Sequence, residues 1–154
     1  TDDFLSIQKL RFGDAFSYTI SVPAFLRQAR IPPSVIKSFA ENAVKYARNM
    51  SREAKIDIRA SMQNREGETY LWLEVLDNGP GFSDEVLQVL QQKAQPFFDG
   101  RVHIGIANVR QRLELLYAGK AEVHLENRPD GGTHVSVILP LNYGTELPEK
   151  EETL

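Results

Sequence analysis

The sequence predicts an α+β protein, a two-layer α/β sandwich in which helices pack on one face of a mixed, mostly antiparallel sheet. Two observations predict this class. Segments whose apolar residues recur at helical spacing are interspersed with segments in which apolar residues alternate or are aromatic and β-branched. Their order is helix, strand, helix, two strands, helix, irregular loop, helix and two strands, without an internal repeat or an interdomain linker.

The first half of the chain predicts two helices and three strands. The best-marked element is the long second helix, in which Val35, Phe39 and Ala43 recur on one core face with Ile36 and Ala40 beside them. The two strands that follow alternate apolar and polar residues, as half-buried strands require. In order, the predictions are a helix end over 4–12, a strand over 15–22, a helix from 33 or 34 to about 50, a strand over 55–63, a turn over 64–68 and a strand over 69–77.

The second half predicts two helices and a closing hairpin. Ser83 can cap a helix, because its hydroxyl is followed by acids in the first turn. Residues 93–103 have no clear period, and a second helix is predicted from about Ile106 to Ala118, ended by Gly119. Strands over 121–127 and 133–141 are joined by a turn over 128–132. The core stripe of the second helix would carry Ile106, Val109, Leu113 and Leu116.

Composition limits the classes of function. The chain of 154 residues is 42% hydrophobic and 25% charged, and its net charge of −3 lacks the basic footprint of a general nucleic-acid-binding protein. Without cysteine it has no disulfide, cysteine zinc site or thiol nucleophile. No apolar run reaches the roughly 18 residues of a membrane span. We therefore expect neither nucleic acid nor direct membrane contact, and a first residue other than Met suggests a piece of a longer protein.

The stretch Asp77-Asn78-Gly79-Pro80-Gly81 ends a predicted strand. Asn-Gly there is typical of a hairpin, but the helix start that follows makes it a strand–loop–helix junction. Glycines let the backbone approach a ligand closely, although a plain connector stays an alternative. The carboxylate of Asp77 is suited to accept a hydrogen bond from an exocyclic amine, or else to form an Asx turn or helix cap.

Two helices carry further polar candidates. Asn42, Lys45 and Tyr46 share one stripe of the long helix, where an amide oxygen suits Mg²⁺ and a lysine suits phosphate. Gly105 precedes the later helix, whose first N–H groups can receive phosphate, and Asn108 lies within its first turn. An ordinary polar helix face and an ordinary amphipathic helix are the alternative interpretations.

Together and in this order, these stretches resemble the GHKL ATPases, which share the Bergerat nucleotide-binding fold. Residues 41–46 (ENAVKY) resemble the N box of the kinases, 77–81 (DNGPG) the first glycine box, 104–110 (IGIANVR) the second, and Gly132-Thr133 with the following HVSVILP the closing segment. The resemblance is in particular to the catalytic domain of LytS/YesM-type sensor histidine kinases, and it runs from about residue 5 to 141.

The resemblance implies a Mg-ATP site. At the base, Asp77 would hydrogen-bond the adenine amine, Gly79 and Gly81 would let the loop pass close to the base, and Thr133 would lie beside Asp77. Residues 93–104 would form a mobile ATP lid. The residues implied to bind the nucleotide are Asn42, Lys45, Tyr46, Asp77, Gly79, Gly81, Ile104, Gly105, Asn108 and Thr133.

At the phosphates, Asn42 would ligate Mg²⁺, Lys45 would approach the phosphate groups, and Tyr46 would lie near the ribose or phosphates. Backbone amides around Gly105 would hold the phosphates at the helix start. The catalytic set would be Glu41, Asn42 and Lys45, with Glu41 polarising the acceptor imidazole; an ion pair between Glu41 and Lys45 is the alternative.

The implied reaction is transfer of the γ-phosphoryl group to a histidine on an upstream helix absent from this chain. His103 lies in the lid, and His124 and His134 are expected on the outer face of the sheet, so none is an acceptor candidate. The resemblance further implies the end of a linker or dimerisation helix over 1–14 and the ATP-binding catalytic domain over 15–142. The acidic composition of 143–154, which is poor in apolar residues, predicts a flexible tail.

The implied partners are ATP, the upstream dimerisation and phosphoacceptor helices and, indirectly, a response regulator. The whole protein would be a homodimer and a membrane-anchored bacterial sensor, with this domain in the cytoplasm. Two alternatives stay open. One is a degenerate kinase domain acting as a nucleotide-responsive binding module, because Lys37-Ser38 and His103 depart from the kinase pattern. The other is another GHKL ATPase or an anti-sigma-factor serine kinase.

Overall fold

A computed structural model describes residues 1–47, 51–91 and 104–141 and confirms the α+β class. The described helices are α1 (Asp2–Phe12), α2 (Val35–Ala47), α3 (Asp84–Gln91) and α4 (Ile104–Tyr117), with 3₁₀ turns at Gly13–Ala15 and Ala24–Leu26. The described strands are β1 (Phe16–Ser21), β2 (Ala54–Arg65), β3 (Glu68–Asp77), β4 (Glu122–Asn127) and β5 (Thr133–Pro140). The order of elements is the predicted one.

The five strands form one sheet in the order β1-β2-β3-β5-β4. β1 pairs with β2 in parallel, whereas the pairs β2–β3, β3–β5 and β4–β5 are antiparallel. The sheet is therefore mixed and mostly antiparallel, as predicted. Because β5 lies between β3 and β4, the end of β3 at Asp77 and the start of β5 at Thr133 are neighbours in space.

The core lies between one face of this sheet and the helices. Alternate residues of the central strands, such as Ile56 on β2 and Val75 on β3, are buried on that face. The predicted core face of α2 is buried as a whole and comprises Val35, Ile36, Phe39, Ala40, Ala43 and Val44. In α4 the buried residues are Ile106, Val109, Leu113 and Tyr117, with Leu116 partly buried. Both helices thus pack apolar stripes onto the same core.

Several boundaries shift by one or two residues: β2 and β3 extend into the predicted turn over 64–68, which leaves only Glu66 and Gly67 between them. Both ends of α4 also differ from the prediction. α4 begins at Ile104 rather than Ile106, so Gly105 lies inside its first turn instead of preceding it. The sequence prediction started the helix at Ile106, the first residue of the apolar core stripe. The helical backbone begins two residues earlier. At the other end α4 stops at Tyr117, and Ala118 as well as Gly119 adopts positive φ, at 48° and 81°. The predicted extension of α2 to about residue 50 and the irregular segment 93–103 lie outside the described residues.

The opposite face of the sheet carries polar side chains, including two of the histidines. The ring nitrogens of His134 lie 2.8 Å from carboxylates of Glu74 and Glu126. His124 is exposed on β4 and lies 2.9 Å from a carboxylate oxygen of Glu122. Both histidines face outward on strands, as predicted. Among the described helices none is long and apolar enough to cross a membrane.

Two leucines of α4 provide a matched test of this packing. Leu113 is 1% exposed and Leu115 is 79% exposed. We expect Leu113→Ala to lower the free energy of unfolding by about 2–5 kcal/mol, because it leaves a cavity under the helix. Leu115→Ala removes no core contact and should change it by no more than about 0.5 kcal/mol. Urea unfolding followed by circular dichroism measures both; similar losses would contradict the described orientation of α4.

Candidate functional site

Asp77 is the buried carboxylate at the carboxyl end of β3, only 6% exposed. Its Oδ1 accepts hydrogen bonds from the backbone N–H of Gly79 at 2.7 Å and of Thr133 at 3.3 Å. The hydroxyl of Thr133 donates to Oδ2. The Asx turn considered from the sequence is therefore present. These three bonds use three of about four acceptor positions of a carboxylate, which leaves one position for a further donor.

Asp77 lies at a small cavity between the sheet and the helices. Its lining combines residues from α2, β3, the loop after β3, α4 and β5. The lining residues are Phe39, Asn42, Ala43, Val75, Asp77, Pro80, Gly81, Phe82, Ile106, Thr133 and Val135. The cavity volume is about 10 Å³, close to that of one water position. A planar base therefore enters only when part of this wall moves.

Four of the predicted site residues, Asn42, Asp77, Gly81 and Thr133, meet at this cavity. A fifth, Gly105, lies beside Asn42: a Cβ on Gly105 would stand 3.9 Å from the Asn42 amide nitrogen. The first turn of α4 therefore faces Asn42. Backbone N–H groups of a first helical turn have no partner within the helix, and they favour anions.

Apart from Gly79, which lies in the loop after β3, the remaining predicted residues lie on α2 and α4. Lys45 is exposed on α2 and Asn108 is exposed on α4. Glu41 forms an ion pair with Lys37 at 3.6 Å, so the carboxylate expected to pair with Lys45 also has a partner one turn earlier. Such a half-exposed pair contributes little to stability. The side chains of Tyr46 and Ile104 lie outside the described part of the structure.

The described residues around the site offer a metal ion few protein ligands. Among the described residues no three His, Cys, Asp or Glu side chains are arranged around a common point for a metal. The amide of Asn42 fits Mg²⁺ only as one ligand among waters and phosphate oxygens, which is the usual manner of that ion. On α4, burial lowers the pKa of the Arg110 guanidinium, which nevertheless remains charged at neutral pH.

Side chains that the sequence analysis missed hold the first residues of the loop. The guanidinium of Arg128 donates to the Asp77 carbonyl at 2.9 Å, and that of Arg52 donates to the Asn78 carbonyl at 2.8 Å. The Asn78 amide accepts from the Lys55 backbone N–H at 2.8 Å and donates to a backbone carbonyl at 2.9 Å. No local pattern marks Arg52 or Arg128, because their partners are far away in sequence.

Two glycines, one in the loop and one just before β5, allow close contacts with other parts of the chain. Gly132 has a φ of 94°, and a Cβ there would stand 2.0 Å from the Asp77 carbonyl oxygen. Gly81 has a φ of 84°, and a Cβ there would stand 2.9 Å from the Asn127 side-chain oxygen. The close approach expected of the glycines is therefore made, in this structure, to groups of the protein itself.

Gly132→Ala should destabilise the protein more than Gly67→Ala. Both residues have positive φ, but a Cβ on Gly67 meets nothing within 4 Å. We expect the Gly67 variant to lose roughly 1–2 kcal/mol from left-handed strain alone. The Gly132 variant should lose about 1–3 kcal/mol more, since its methyl group displaces the Asp77–Asn78 peptide. Urea unfolding of both variants measures the difference, and equal losses would contradict this contact.

Comparison with known proteins places the chain in a family. The family described as histidine kinase-, DNA gyrase B-, and HSP90-like ATPase matches residues 29–143. The chain is 34% identical to the sensor protein LytS of Staphylococcus haemolyticus over 140 residues, which is 89% of this chain and 23% of that protein. It is 29% identical to LytS of Bacillus subtilis over 150 residues, 97% of this chain and 24% of that protein. The chain thus spans about a quarter of the length of these relatives.

Solved structures agree on the fold. The mycobacterial sensor histidine kinase MprB superposes with a TM-score of 0.63 at 16% identity, covering 92% of each chain. This likeness concerns the architecture only, whereas the sequence relatives and the family match extend through the site. The chain therefore belongs to the histidine kinase-, DNA gyrase B- and HSP90-like ATPase family, with the sequence and fold of the ATP-binding catalytic domain of LytS-type sensor histidine kinases.

Proposed function

We propose that this domain binds Mg-ATP in the cleft around Asp77 and transfers the γ-phosphoryl group to a histidine on another segment of the same protein. One observation carries the proposal: the buried Asp77 carboxylate keeps an acceptor position at a cavity walled by α2, α4 and β5. A buried carboxylate with an unused acceptor position favours a ligand that brings an N–H donor.

The base end of the cleft suits adenine. Its exocyclic amine is a donor for Asp77, and Thr133 holds the carboxylate in a fixed orientation. The surrounding wall is mostly apolar and includes Val75 and Ile106, and such a wall favours a flat ring. Since the cavity is small, binding requires side chains of its wall to shift outward.

The phosphate end lies toward Asn42 and the start of α4. Asn42 would contribute the one protein ligand to Mg²⁺, and the ion would supply positive charge to offset the charge of the phosphates. The N–H groups around Gly105 and the ammonium group of Lys45 would receive the phosphates. Asn108, Ile104 and Tyr46 belong to this proposed set through their motif positions, as do Gly79 and Gly81 at the base.

The proposed chemistry is a direct phosphoryl transfer. An imidazole nitrogen of the acceptor forms a bond to the γ-phosphorus while the bond to the β-bridging oxygen breaks, and ADP leaves. Glu41, half exposed on α2 next to Asn42, would accept the proton from the other ring nitrogen. His124 and His134 lie on the outer face of the sheet, away from the helices, and the acceptor we propose is a histidine on a helix upstream of α1.

The first helix favours a dimer of the whole protein. α1 buries Leu5 and Gln8 against the domain but leaves Ile7 60% and Leu10 86% exposed. Two exposed apolar residues three positions apart form a stripe suited to a second helix. We propose that this stripe continues into dimerisation helices.

We further propose that the phosphoryl group passes on to a response regulator. The domain would be the cytoplasmic part of a membrane-anchored bacterial sensor.

A nucleotide-responsive module with little transfer activity is the second candidate. It is favoured by the ion pair between Lys37 and Glu41, because this pair engages the carboxylate that would act as base. Lys37 stands where the related kinases often carry glutamine. In this case the domain would still bind Mg-ATP, and only the transfer step would be slow.

Titration with Mg²⁺ and a non-hydrolysable ATP analogue tests nucleotide binding. We expect Asp77→Asn to weaken binding by roughly ten- to hundredfold, since an amide presents a donor to the adenine amine and loses a charged hydrogen bond. Thr133→Val keeps the carboxylate and removes only the hydroxyl that donates to it, so it should weaken binding less. Calorimetry on the purified chain gives the dissociation constants.

Asp57→Asn is the matched control for this substitution. Asp57 lies on β2 and faces away from the helices, where it accepts hydrogen bonds from Thr19 and Arg59. Partial burial raises the pKa of Asp57, but these hydrogen bonds outweigh it and lower the pKa below its usual value. Asp57→Asn should lower the free energy of unfolding and leave nucleotide affinity unchanged. Equal affinity of wild type and the Asp77 variant would refute the adenine assignment.

Mixing the chain with the upstream helical segment and labelled ATP tests transfer. We expect label on the segment's histidine, and roughly a hundredfold slower labelling for Glu41→Gln, in line with the loss of a general base. Lys37→Gln should leave binding unchanged and labelling equal or faster, since it releases Glu41. Binding without any labelling in all variants would favour the nucleotide-responsive module.

A further inference from the structure

We propose that Asn127 is a positioning residue for the nucleotide: it holds the loop over 77–82, here called the base loop, at its far end. The inference rests on the proposed function, because it concerns the wall of the same cleft. Asn127 is the last residue of β4 and does not line the cavity. It acts through Phe82, which does.

The contact between Asn127 and the base loop is a pair of hydrogen bonds. The Phe82 N–H donates to the Asn127 side-chain oxygen at 2.8 Å, and the Asn127 amide group donates to the Phe82 carbonyl at 2.8 Å. The carboxamide thus satisfies both backbone groups of one residue, as a neighbouring strand would. Among common side chains, only asparagine and glutamine offer a donor and an acceptor side by side.

Gly81 makes the contact specific. Its positive φ turns the chain so that its Cα lies against Asn127, with 2.9 Å between a hypothetical Cβ and the Asn127 oxygen. A side chain at 81 would therefore disturb the pair with Phe82 even if the backbone tolerated it. Gly81, the second glycine of the stretch 77–81, is thus required here by Asn127, a residue of β4.

One hairpin, formed by β4 and β5, holds both ends of the base loop. At the near end Arg128 donates to the Asp77 carbonyl, and Thr133 donates to the Asp77 carboxylate. At the far end Asn127 holds Phe82. Pro80, Gly81 and Phe82 between these anchors form one wall of the cavity. The hairpin therefore positions this wall relative to Asp77, the proposed adenine acceptor.

Loss of the far anchor should weaken binding without touching the chemistry. A loop free at Phe82 must be ordered when nucleotide binds, and that ordering opposes association. In the proposed cleft the transferring phosphate would lie toward Asn42 and the start of α4, whereas the hydrogen bonds of Asn127 go to Phe82. We therefore expect Asn127→Ala to raise the KM for ATP, with kcat little changed, which a residue acting on the transfer step would not do.

The test compares Asn127→Ala with Asn64→Ala. Asn64 is also a strand asparagine that accepts a hydrogen bond, from Thr69 at 2.9 Å, but it lies at the turn between β2 and β3, at the opposite end of β3 from Asp77. With Mg²⁺ and a non-hydrolysable ATP analogue, we expect roughly five- to tenfold weaker binding for Asn127→Ala. This loss of affinity is about the size expected when a hydrogen bond is removed. The Asn64 variant should bind like wild type.

Hydrogen exchange adds a readout that does not depend on nucleotide. The Phe82 amide should exchange faster in Asn127→Ala than in wild type or the Asn64 variant. Asn127→Asp serves as a second variant if the alanine variant is poorly folded: a carboxylate accepts from the Phe82 N–H but cannot donate to the Phe82 carbonyl, so it should also bind more weakly.

The outcomes separate the two proposals. If wild type binds and both Asn127 variants bind equally well, the positioning role is wrong and the proposed function stands. If wild type itself fails to bind, the proposed function is wrong and the role of Asn127 with it. Weaker binding together with faster Phe82 exchange, confined to the Asn127 variants, supports the inference.

Discussion

The hydrogen bonds to the Asp77 carboxylate are the interaction on which the site depends. A carboxylate that is 6% exposed is stable only when its oxygens are paired. The partners come from the next residues of the chain, at Gly79, and from the start of β5, at Thr133. The same bonds therefore shape the loop after β3, join it to the neighbouring strand and orient the group proposed to read the base.

The sheet order makes these bonds possible. β5 pairs directly with β3, so Gly132 and Thr133 arrive beside Asp77 although they belong to the last hairpin. Their approach is so close that only glycine fits at 132, where a Cβ would overlap the Asp77 carbonyl. α2 and α4 then cover the same sheet face, which brings Asn42 next to Gly105. The proposed phosphate end and the proposed base end of the cleft are thus built on one face of the sheet.

Much of this could be predicted from local patterns. Helical spacing marked the core face of α2, alternation marked β2 and β3, and the acid and glycines after β3 marked the loop proposed to bind the base. The start of α4 was misplaced because its first two residues carry no core-facing signal. The supports of the base loop were missed for another reason: Arg52, Asn127 and Arg128 contact it across long sequence separations, and nothing in their neighbours indicates a partner.

By itself the sequence determined the order of elements, the buried faces of the helices and strands, and the residue types of the site, because periodicity and turn chemistry are local properties. Only the tertiary structure decided that the β4–β5 hairpin holds the base loop at both ends, that Glu41 pairs with Lys37, and that the cavity beside Asp77 is nearly closed. Those features depend on distances between segments far apart in the chain. Such distances follow from strand order and close packing rather than from any single stretch of residues.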